Sequence, residues 1–265
     1  MKSLGSISEA ALFMPLIETL KGENAPINHA VRSWFGKFVD ISAVVEGNLS
    51  STPAILLRDP IWSKIILNAF KAADINVERF VLKELSSENE TEEVPPISGE
   101  KAGAPVSLFT EHKRYNENHK EVGRILFSLD NEESAGSRQF FRMISHFFIV
   151  LHNGLLITVD ELDAKLHPQL CEMLLNLFNS PTTNPNNAQL IFATHNPLLM
   201  DRKLLRRDQI WFVEKNSFGE SDLYCLTDFK KVRNDASYAK NYLMGRYGAL
   251  PYLGDFENLM PEAEK

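Results

Sequence analysis

The sequence predicts an α/β fold in which a parallel β-sheet is covered on both faces by helices. Two segments, "LLITV" at 155–159 and "QLIFAT" at 189–194, are almost entirely apolar, and a helical pattern separates them. Strands that are apolar along their whole length are typical of parallel sheets buried on both faces, and the intervening helix supplies the crossover that parallel pairing needs. The 265 residues, 44% of them hydrophobic, are enough for one full core, with or without an appendage.

Residues 1–85 are predicted to be a helical region with one short strand. Apolar residues recur at spacings of three and four over 8–21 and over 26–38, which indicates a pair of helices. A further helix is predicted within 53–75, with Asp59 as its N-cap and Pro60 as its first residue. The segment "VERFVLKEL" follows as the strand.

Residues 86–106 are predicted to be a flexible loop. They contain acids, Ser, Gly and three prolines, with almost no large apolar side chain. The next two segments, "VSLFTEHKRY" and "VGRILFSL", alternate in polarity and predict a β-hairpin with "NENHKE" as its turn.

The second half begins with a turn-rich stretch, "DNEESAGSRQ", followed by a long apolar helix that Gly154 ends as the C′ residue. Strand 155–159, a helix over 168–179 that opens at Pro168, and strand 189–194 follow in that order. A third apolar strand, "DQIWFVEKN", leads to an antiparallel partner, "SDLYCLTDF". Apolar strands separated by helices predict the parallel sheet.

Composition excludes several classes of protein. No run of 18 apolar residues occurs and the N-terminal segment lacks the pattern of a secretory signal, so we expect a cytoplasmic protein without a membrane partner. Cys171 and Cys225 lie in apolar surroundings, which suits reduced core thiols. The net charge of −7 does not indicate nucleic-acid binding, although local basic stretches, "DRKLLRR" and "FKKVRNDASYAK", leave that question open.

Polar residues follow the two best-defined strands. Asp160 and Glu161 end the first strand, and Thr194 and His195 end the second. In open parallel sheets, ligands bind at the carboxyl ends of the strands, so neighbouring strands would bring two acids and an imidazole together. An acid there suits Mg²⁺, a second acid can take a proton from an attacking water, and a His can bond a transferring phosphoryl group. The pattern indicates phosphate chemistry.

A phosphate contact is also predicted at "SAGSR", residues 134–138. Ser134, Gly136 and Ser137 precede a helix, so hydroxyls, a close backbone approach and the positive end of the helix dipole coincide. Ordinary helix capping explains the same residues when they are taken alone.

Four segments, by their order and spacing, resemble the motifs of ABC-class ATPases of the SMC-like and overcoming-lysogenization-defect-like groups. In chain order, "SAGSR" resembles a degenerate signature, "LLITVDE" a Walker B segment, "DAKLHP" a D-loop and "IFATHNPLLMD" a switch-histidine segment. The downstream "YAKNYLMGRYGALPYL" is similar to one branch, the bacterial AAA-family abortive-infection ATPases of the RloA type, implicated in phage defence. The resemblance implies a P-loop NTPase-like sheet, with residues 107–254 as the C-terminal lobe of the ATPase and 255–265 as a tail.

The resemblance also implies roles for individual residues, with ATP and Mg²⁺ as substrate and cofactor. Asp160 would hold Mg²⁺ through water, Glu161 would be the general base, and His195 would sense the γ-phosphate.

Other residues would act across a homodimer. Ser134, Gly136 and Ser137 would contact the nucleotide bound by the opposite subunit, and Asp163 in the D-loop would lie at the interface between the two subunits.

The sequence contains no G-x-x-x-x-G-K-[ST] motif. Its one Gly-Lys pair, Gly36-Lys37, has Val31 and Phe38 where the first glycine and the hydroxyl residue would be. The motif normally supplies the phosphate cradle. We therefore expect a C-terminal portion of the ATPase, truncated or split, that binds ATP weakly unless a missing or separate N-terminal P-loop segment is added.

Three functional readings follow. The first is an ATPase that powers a partner effector, for example a nuclease, and the second is a catalytically silent binding subunit. The third is a nuclease that binds metal directly through Asp160, Glu161, Asp163 and His167.

Overall fold

The computed structural model describes residues 33–34, 36–40, 56–84, 106–230 and 237–251. Within these ranges the chain forms eight strands and four α-helices. In chain order they are β1 (Phe38–Asp40), α1 (Pro60–Ala72), β2 (Arg79–Glu84), β3 (Val106–Tyr115), β4 (Glu121–Ser128), α2 (Ala135–Asn153), β5 (Leu156–Val159), α3 (Pro168–Asn179), β6 (Gln189–Phe192), β7 (Trp211–Lys215), β8 (Ser221–Cys225) and α4 (Tyr238–Leu243).

A three-stranded parallel sheet has β5 in the middle, between β1 and β6. Its central strand is buried at Leu156, Ile157 and Val159, as expected for a strand with both faces covered. Val159 pairs with Phe192, so the carboxyl ends of β5 and β6 are level with each other. The predicted α/β fold is confirmed, and so is the prediction that these two strand ends are neighbours.

Helix α2 precedes β5 and has the two caps that the sequence indicates. Ser134 is the N-cap, and its Oγ accepts a hydrogen bond from the backbone N of Ser137 at 3.0 Å. Gly154 ends the helix in the left-handed conformation, with φ +62°. A Cβ at position 154 would lie 2.5 Å from the carbonyl oxygen of Asn186, so the turn into β5 requires glycine.

The main core joins α1, β2 and α2. Asp59 caps α1 as predicted, and the helix buries Phe70 completely. The Phe70 ring contacts Phe80 of β2 and Phe140 and Phe141 of α2, with centroid distances of 5.1, 5.2 and 6.2 Å. These edge-on contacts fix the orientation of α1 against α2, which leads directly to the strand β5.

Strands β2, β3 and β4 form an antiparallel sheet, which confirms the predicted strand and hairpin. Leu108 on β3 is buried in the main core, opposite Leu82 of β2. Ion pairs join neighbouring strands of this sheet. One of them links Arg79 of β2 to Glu111 of β3, 2.7 Å apart. Exposed pairs of this kind add little stability, so the apolar contacts hold this sheet in place.

Strands β7 and β8 form a separate antiparallel hairpin that packs against α4. A second core lies between them and buries Phe212, Leu226, Tyr238 and Tyr247. Phe212 stacks on Tyr242 with a centroid distance of 5.7 Å and an interplanar angle of 19°.

Two sequence-based predictions about strands are wrong. Phe38, the last residue of the predicted helix 26–38, begins the strand β1, because a turn at Gly36-Lys37 redirects the chain and Phe38 then pairs with Leu156. Pairing with a buried strand overrides a local helical pattern. The third strand of the parallel sheet is therefore β1, while β7 belongs to its own hairpin.

The predicted helix at 8–21 and the predicted tail at 255–265 lie outside the described residues. The same holds for the predicted loop 86–106 except for its last residue, Val106, which begins β3. In the described part of the chain, no helix combines the length and apolarity that a membrane crossing requires.

Candidate functional site

The two acids after β5 lie on the surface at the carboxyl edge of the parallel sheet. Asp160 and Glu161 are exposed, whereas Val159 before them and Leu162 after them are buried. Residues 160–165, which follow β5, are called the acidic turn below. The backbone N of Leu162 donates to the carbonyl of Ala193 at 3.0 Å, and this bond fixes the acidic turn to the segment after β6. Both carboxylates therefore remain hydrated while the backbone that bears them is anchored.

Glu161 has an unusual backbone conformation, with φ +51°. A non-glycine residue in this left-handed region costs about 1–2 kcal/mol. The backbone N of Glu161 donates to Asp160 Oδ1 at 3.1 Å, which stabilises the turn. Such residues occur preferentially at functional sites, where the surrounding structure holds the strained conformation.

His195 and Thr194 follow β6 at the same edge, and Asp163 ties them to the acidic turn. Thr194 Oγ1 donates to Asp163 Oδ1 at 2.5 Å, and the backbone N of His195 donates to the same oxygen at 3.3 Å. His195 is exposed, and Asp163 is half-buried. The structure thus brings Asp160, Glu161 and His195 together at one edge and gives Asp163 contacts within the chain.

The N-terminus of α2 lies beside this edge. A Cβ at Gly136 would be 3.1 Å from the carbonyl oxygen of Lys165, so the start of the helix and the end of the acidic turn approach closely. Ser134 is exposed, while Ser137 is buried and its hydroxyl lies 2.9 Å from that of Ser134. Ser137 thus supports the cap, and Ser134 and Gly136 form the accessible part of the segment.

A buried polar cluster supports the start of α2, and sequence reasoning missed it. Glu133 Oε1 accepts a hydrogen bond from Thr110 Oγ1 at 2.5 Å and lies 2.7 Å from His112 Nε2. The Glu133 side chain is only 9% exposed. These contacts attach Glu133, the residue before Ser134, to strand β3. The one sequence signal for this cluster was the alternation of polarity in β3, which places Thr110 and His112 on the same face of the strand.

His167 and Cys171 have structural positions behind the acidic turn. His167 caps α3, its Nδ1 accepting from the backbone N of Gln169 at 3.3 Å, and Cys171 is fully buried. Burial, together with the negative charge of Asp163, raises the pKa of the Cys171 thiol to about 11. Both cysteines are free and buried, as predicted.

The acids of this edge do not form a compact metal-binding cluster. Among the residues that the structure describes, no group of three or more His, Cys, Asp or Glu side chains is placed to hold a metal ion. This arrangement disfavours a nuclease that binds metals directly through Asp160, Glu161, Asp163 and His167. The exposed carboxylate of Asp160 fits a Mg²⁺ ion bound mainly through water, since Mg²⁺ dehydrates reluctantly.

The fold and this edge define a P-loop NTPase-like α/β domain, in which helices flank a parallel sheet and polar residues converge at its carboxyl ends. The sequence profile of the AAA domain family AAA_21, whose description names the AbiEii toxin and a Type IV TA system, matches residues 27–201. The match covers more than half of the 265 residues, so the chain belongs to this family. Membership indicates ATPase-type activity, and AAA ATPases generally use ATP and Mg²⁺. A comparison with curated proteins found no match.

Proposed function

We propose that the chain is the part of an ABC-type ATPase that carries the hydrolytic residues, and that it acts on ATP held by a separate P-loop segment. One observation supports this most directly: Asp160, Glu161 and His195 follow adjacent parallel strands at the same edge of the sheet, and all three are exposed. The family match to an AAA domain agrees with this function.

In this proposal each residue has one task. Glu161 accepts a proton from the hydrolytic water, because its carboxylate is exposed and its backbone is held in a fixed turn. His195 bonds the γ-phosphate from the neighbouring strand end. Asp160 would hold Mg²⁺ through water, and the ion would neutralise charge on the phosphates.

The phosphate cradle has to come from another polypeptide segment. The 265 residues contain no G-x-x-x-x-G-K-[ST] motif, and without its backbone amides and lysine nucleotide affinity is low. Strand β6 offers a place for such a segment. It lies at the edge of the parallel sheet in the described part of the chain, and Ile191 on it is 58% exposed.

A homodimer would complete the site from the opposite side. Ser134 is exposed at the start of a 19-residue helix, and Gly136 brings the backbone of that helix against the acidic turn at Lys165. A nucleotide bound by one subunit would thus meet Ser134 and Gly136 of the other, with the turn that contains Asp163 close to the interface.

The biological setting that we propose is phage defence of the RloA type, with a partner effector such as a nuclease. The family description names a toxin of a Type IV TA system, and this wording supports the proposal. A second candidate is a catalytically silent binding subunit, which the missing P-loop motif favours.

The test is to co-express the full chain with the reading frame immediately upstream, if that frame encodes a P-loop, and to measure Mg²⁺-dependent ATP hydrolysis. Glu161→Gln should lower turnover by about 10²- to 10⁴-fold, because the general base is lost, and should leave ATP binding intact. Glu172→Gln is the matched control, since Glu172 is an exposed acid on α3 to which the mechanism gives no role.

The outcomes separate the two candidates. Unchanged turnover in Glu161→Gln contradicts the proposed mechanism, and ATP binding without hydrolysis by the unsubstituted complex identifies a silent subunit. Tight ATP binding by the chain alone, measured by calorimetry, would contradict the need for a separate cradle.

A further inference from the structure

A cavity lies between the β7–β8 hairpin and the segment after α4. Its volume is about 370 Å³. It is lined by Glu214, Tyr224, Asp228, Phe229, Tyr247 and Gly248. None of these residues has a part in the proposed ATPase mechanism, so the cavity requires its own explanation.

Aromatic rings line the cavity and pack against one another. Phe229 contacts the rings of Tyr224 and Tyr247 edge-on, with centroid distances of 5.8 and 5.2 Å. Tyr224 Oη donates to the carbonyl oxygen of Tyr247 at 2.7 Å, which joins the hairpin to the segment after α4. The π-face of an aromatic ring attracts cations, and rings that line an open cavity can present that face to an alkylammonium group.

Two carboxylates add negative charge to this aromatic cavity. Glu214 Oε2 lies 3.2 Å from Tyr224 Oη and shares its one proton with the closer carbonyl of Tyr247, and Asp228 accepts a hydrogen bond from the backbone N of Cys225 at 2.9 Å. In the part of the chain that the structure describes, neither acid has a Lys, Arg or His within ion-pair distance. Both carboxylates line the cavity and therefore give it a negative charge.

The Tyr224 hydroxyl orients this charge. Burial and the hydrogen bond to Glu214 raise the pKa of Tyr224 to about 12, so the hydroxyl stays protonated and continues to donate at neutral pH.

Gly248 makes the space possible. A Cβ at this position would lie 2.6 Å from Tyr224 Oη and 3.0 Å from Glu214 Oε2, and φ is +70°. Any larger residue would press on the tyrosine and the acid that define the cavity.

We propose that this cavity binds an organic cation of the alkylammonium or guanidinium class, free or as a Lys or Arg side chain of a protein. The carboxylates repel anions and favour positive charge, and the rings stabilise a weakly hydrated organic cation rather than a metal ion. The chain has no compact group of metal ligands among its described residues, which agrees with an organic ligand.

The experiment uses the full chain with its six tyrosines replaced by 3-fluorotyrosine, observed by ¹⁹F NMR. Conservative Phe substitutions assign the resonances of Tyr224 and Tyr247. Tetramethylammonium and methylguanidinium are then titrated against neopentyl alcohol, a neutral molecule of similar shape. Saturable shifts of these two resonances with the cations, and weaker or no shifts with the alcohol, are the expected result.

A charge variant with a matched control tests the role of the acid. Glu214→Gln keeps the size of the side chain and an oxygen acceptor for Tyr224, and should weaken cation binding by about fivefold or more. Glu220→Gln makes the same charge change on the same hairpin outside the cavity lining and should leave binding unchanged.

Blocked peptides that contain a single Lys or Arg distinguish the two sources of the cation. Binding of a peptide at least ten times tighter than methylguanidinium assigns the site to a protein side chain, and preference for the free cations assigns it to a small molecule. Absence of saturable shifts with every cation, equal binding of the neutral alcohol, or an unaffected Glu214→Gln variant would overturn the proposal. None of these readouts depends on ATP hydrolysis.

Discussion

Asp163 offers a quantitative test of how the two strand ends are held together. One oxygen of its carboxylate accepts from Thr194 Oγ1 at 2.5 Å and from the backbone N of His195 at 3.3 Å. Removing the carboxylate in Asp163→Ala should therefore release the segment after β6 from the acidic turn. The change should lower the free energy of unfolding, even though Asp163 lies outside the hydrophobic core.

The magnitude follows from the geometry of the two bonds. A hydrogen bond to a charged group contributes about 1.5–3 kcal/mol, and the short bond from Thr194 belongs in that range. The longer bond to the backbone of the exposed His195 should add less. We expect Asp163→Ala to cost about 2–3 kcal/mol, and Asp163→Asn less, because the amide keeps one acceptor oxygen.

Urea unfolding of a double-mutant cycle isolates the bond between the two side chains. Asp163→Ala, Thr194→Val and the double variant should give a coupling energy of about 1–2 kcal/mol, within the range found for residues in direct contact. The exposed residue Glu172, changed to Ala, should alter the free energy of unfolding by about 0.5 kcal/mol at most. Additive effects of Asp163→Ala and Thr194→Val would refute the claim that this bond ties the strand ends together.

Two further predictions concern the core and pH. Phe70→Ala should lower the free energy of unfolding by about 3–5 kcal/mol, because Phe70 is fully buried. Ile61→Ala on the same helix should change this free energy little, since Ile61 is 69% exposed. Similar losses for the two variants in urea unfolding would contradict the assignment of Phe70 to the core. Cys171 titrates near 9 when unfolded and near 11 when folded, so its contribution to stability is present below pH 9 and is lost as the pH rises towards 11. Between about pH 9 and 11 the free energy of unfolding should fall in the unsubstituted chain and fall less in Cys171→Ala. Parallel pH profiles of the two proteins would contradict the role of the Cys171 thiol in this loss of stability.

Most of the sheet edge was predictable because its signals are local. Asp160 directly follows β5 and His195 comes three residues after the end of β6, and parallel strands end at the same side of a sheet. Ser134 and Gly154 were predictable as caps for the same reason, since helix ends have strong residue preferences.

The rest depends on pairings between distant residues. Strand β1 is three residues long, too short to give a pattern, and it exists because Phe38 pairs with Leu156. Glu133 meets His112 only because the hairpin register brings them together, 21 residues apart. Asp163 was assigned by resemblance to a dimer interface, and its bond to Thr194 became visible only in the structure. The catalytic roles of Glu161 and His195 stay predictions until hydrolysis is measured.

The exposure of the acid pair decides which variants test chemistry and which test the scaffold. A buried strand that ends in two carboxylates would be costly if those groups were desolvated. Asp160 and Glu161 are exposed, however, so neither carboxylate bears the full cost of desolvation and the fold does not need a bound cation to offset it. Glu161→Gln should therefore leave the free energy of unfolding nearly unchanged, and a loss of turnover in that variant reports on proton transfer. Asp163 differs, because its carboxylate is part of the frame, and any loss of activity in Asp163→Ala includes the displacement of His195.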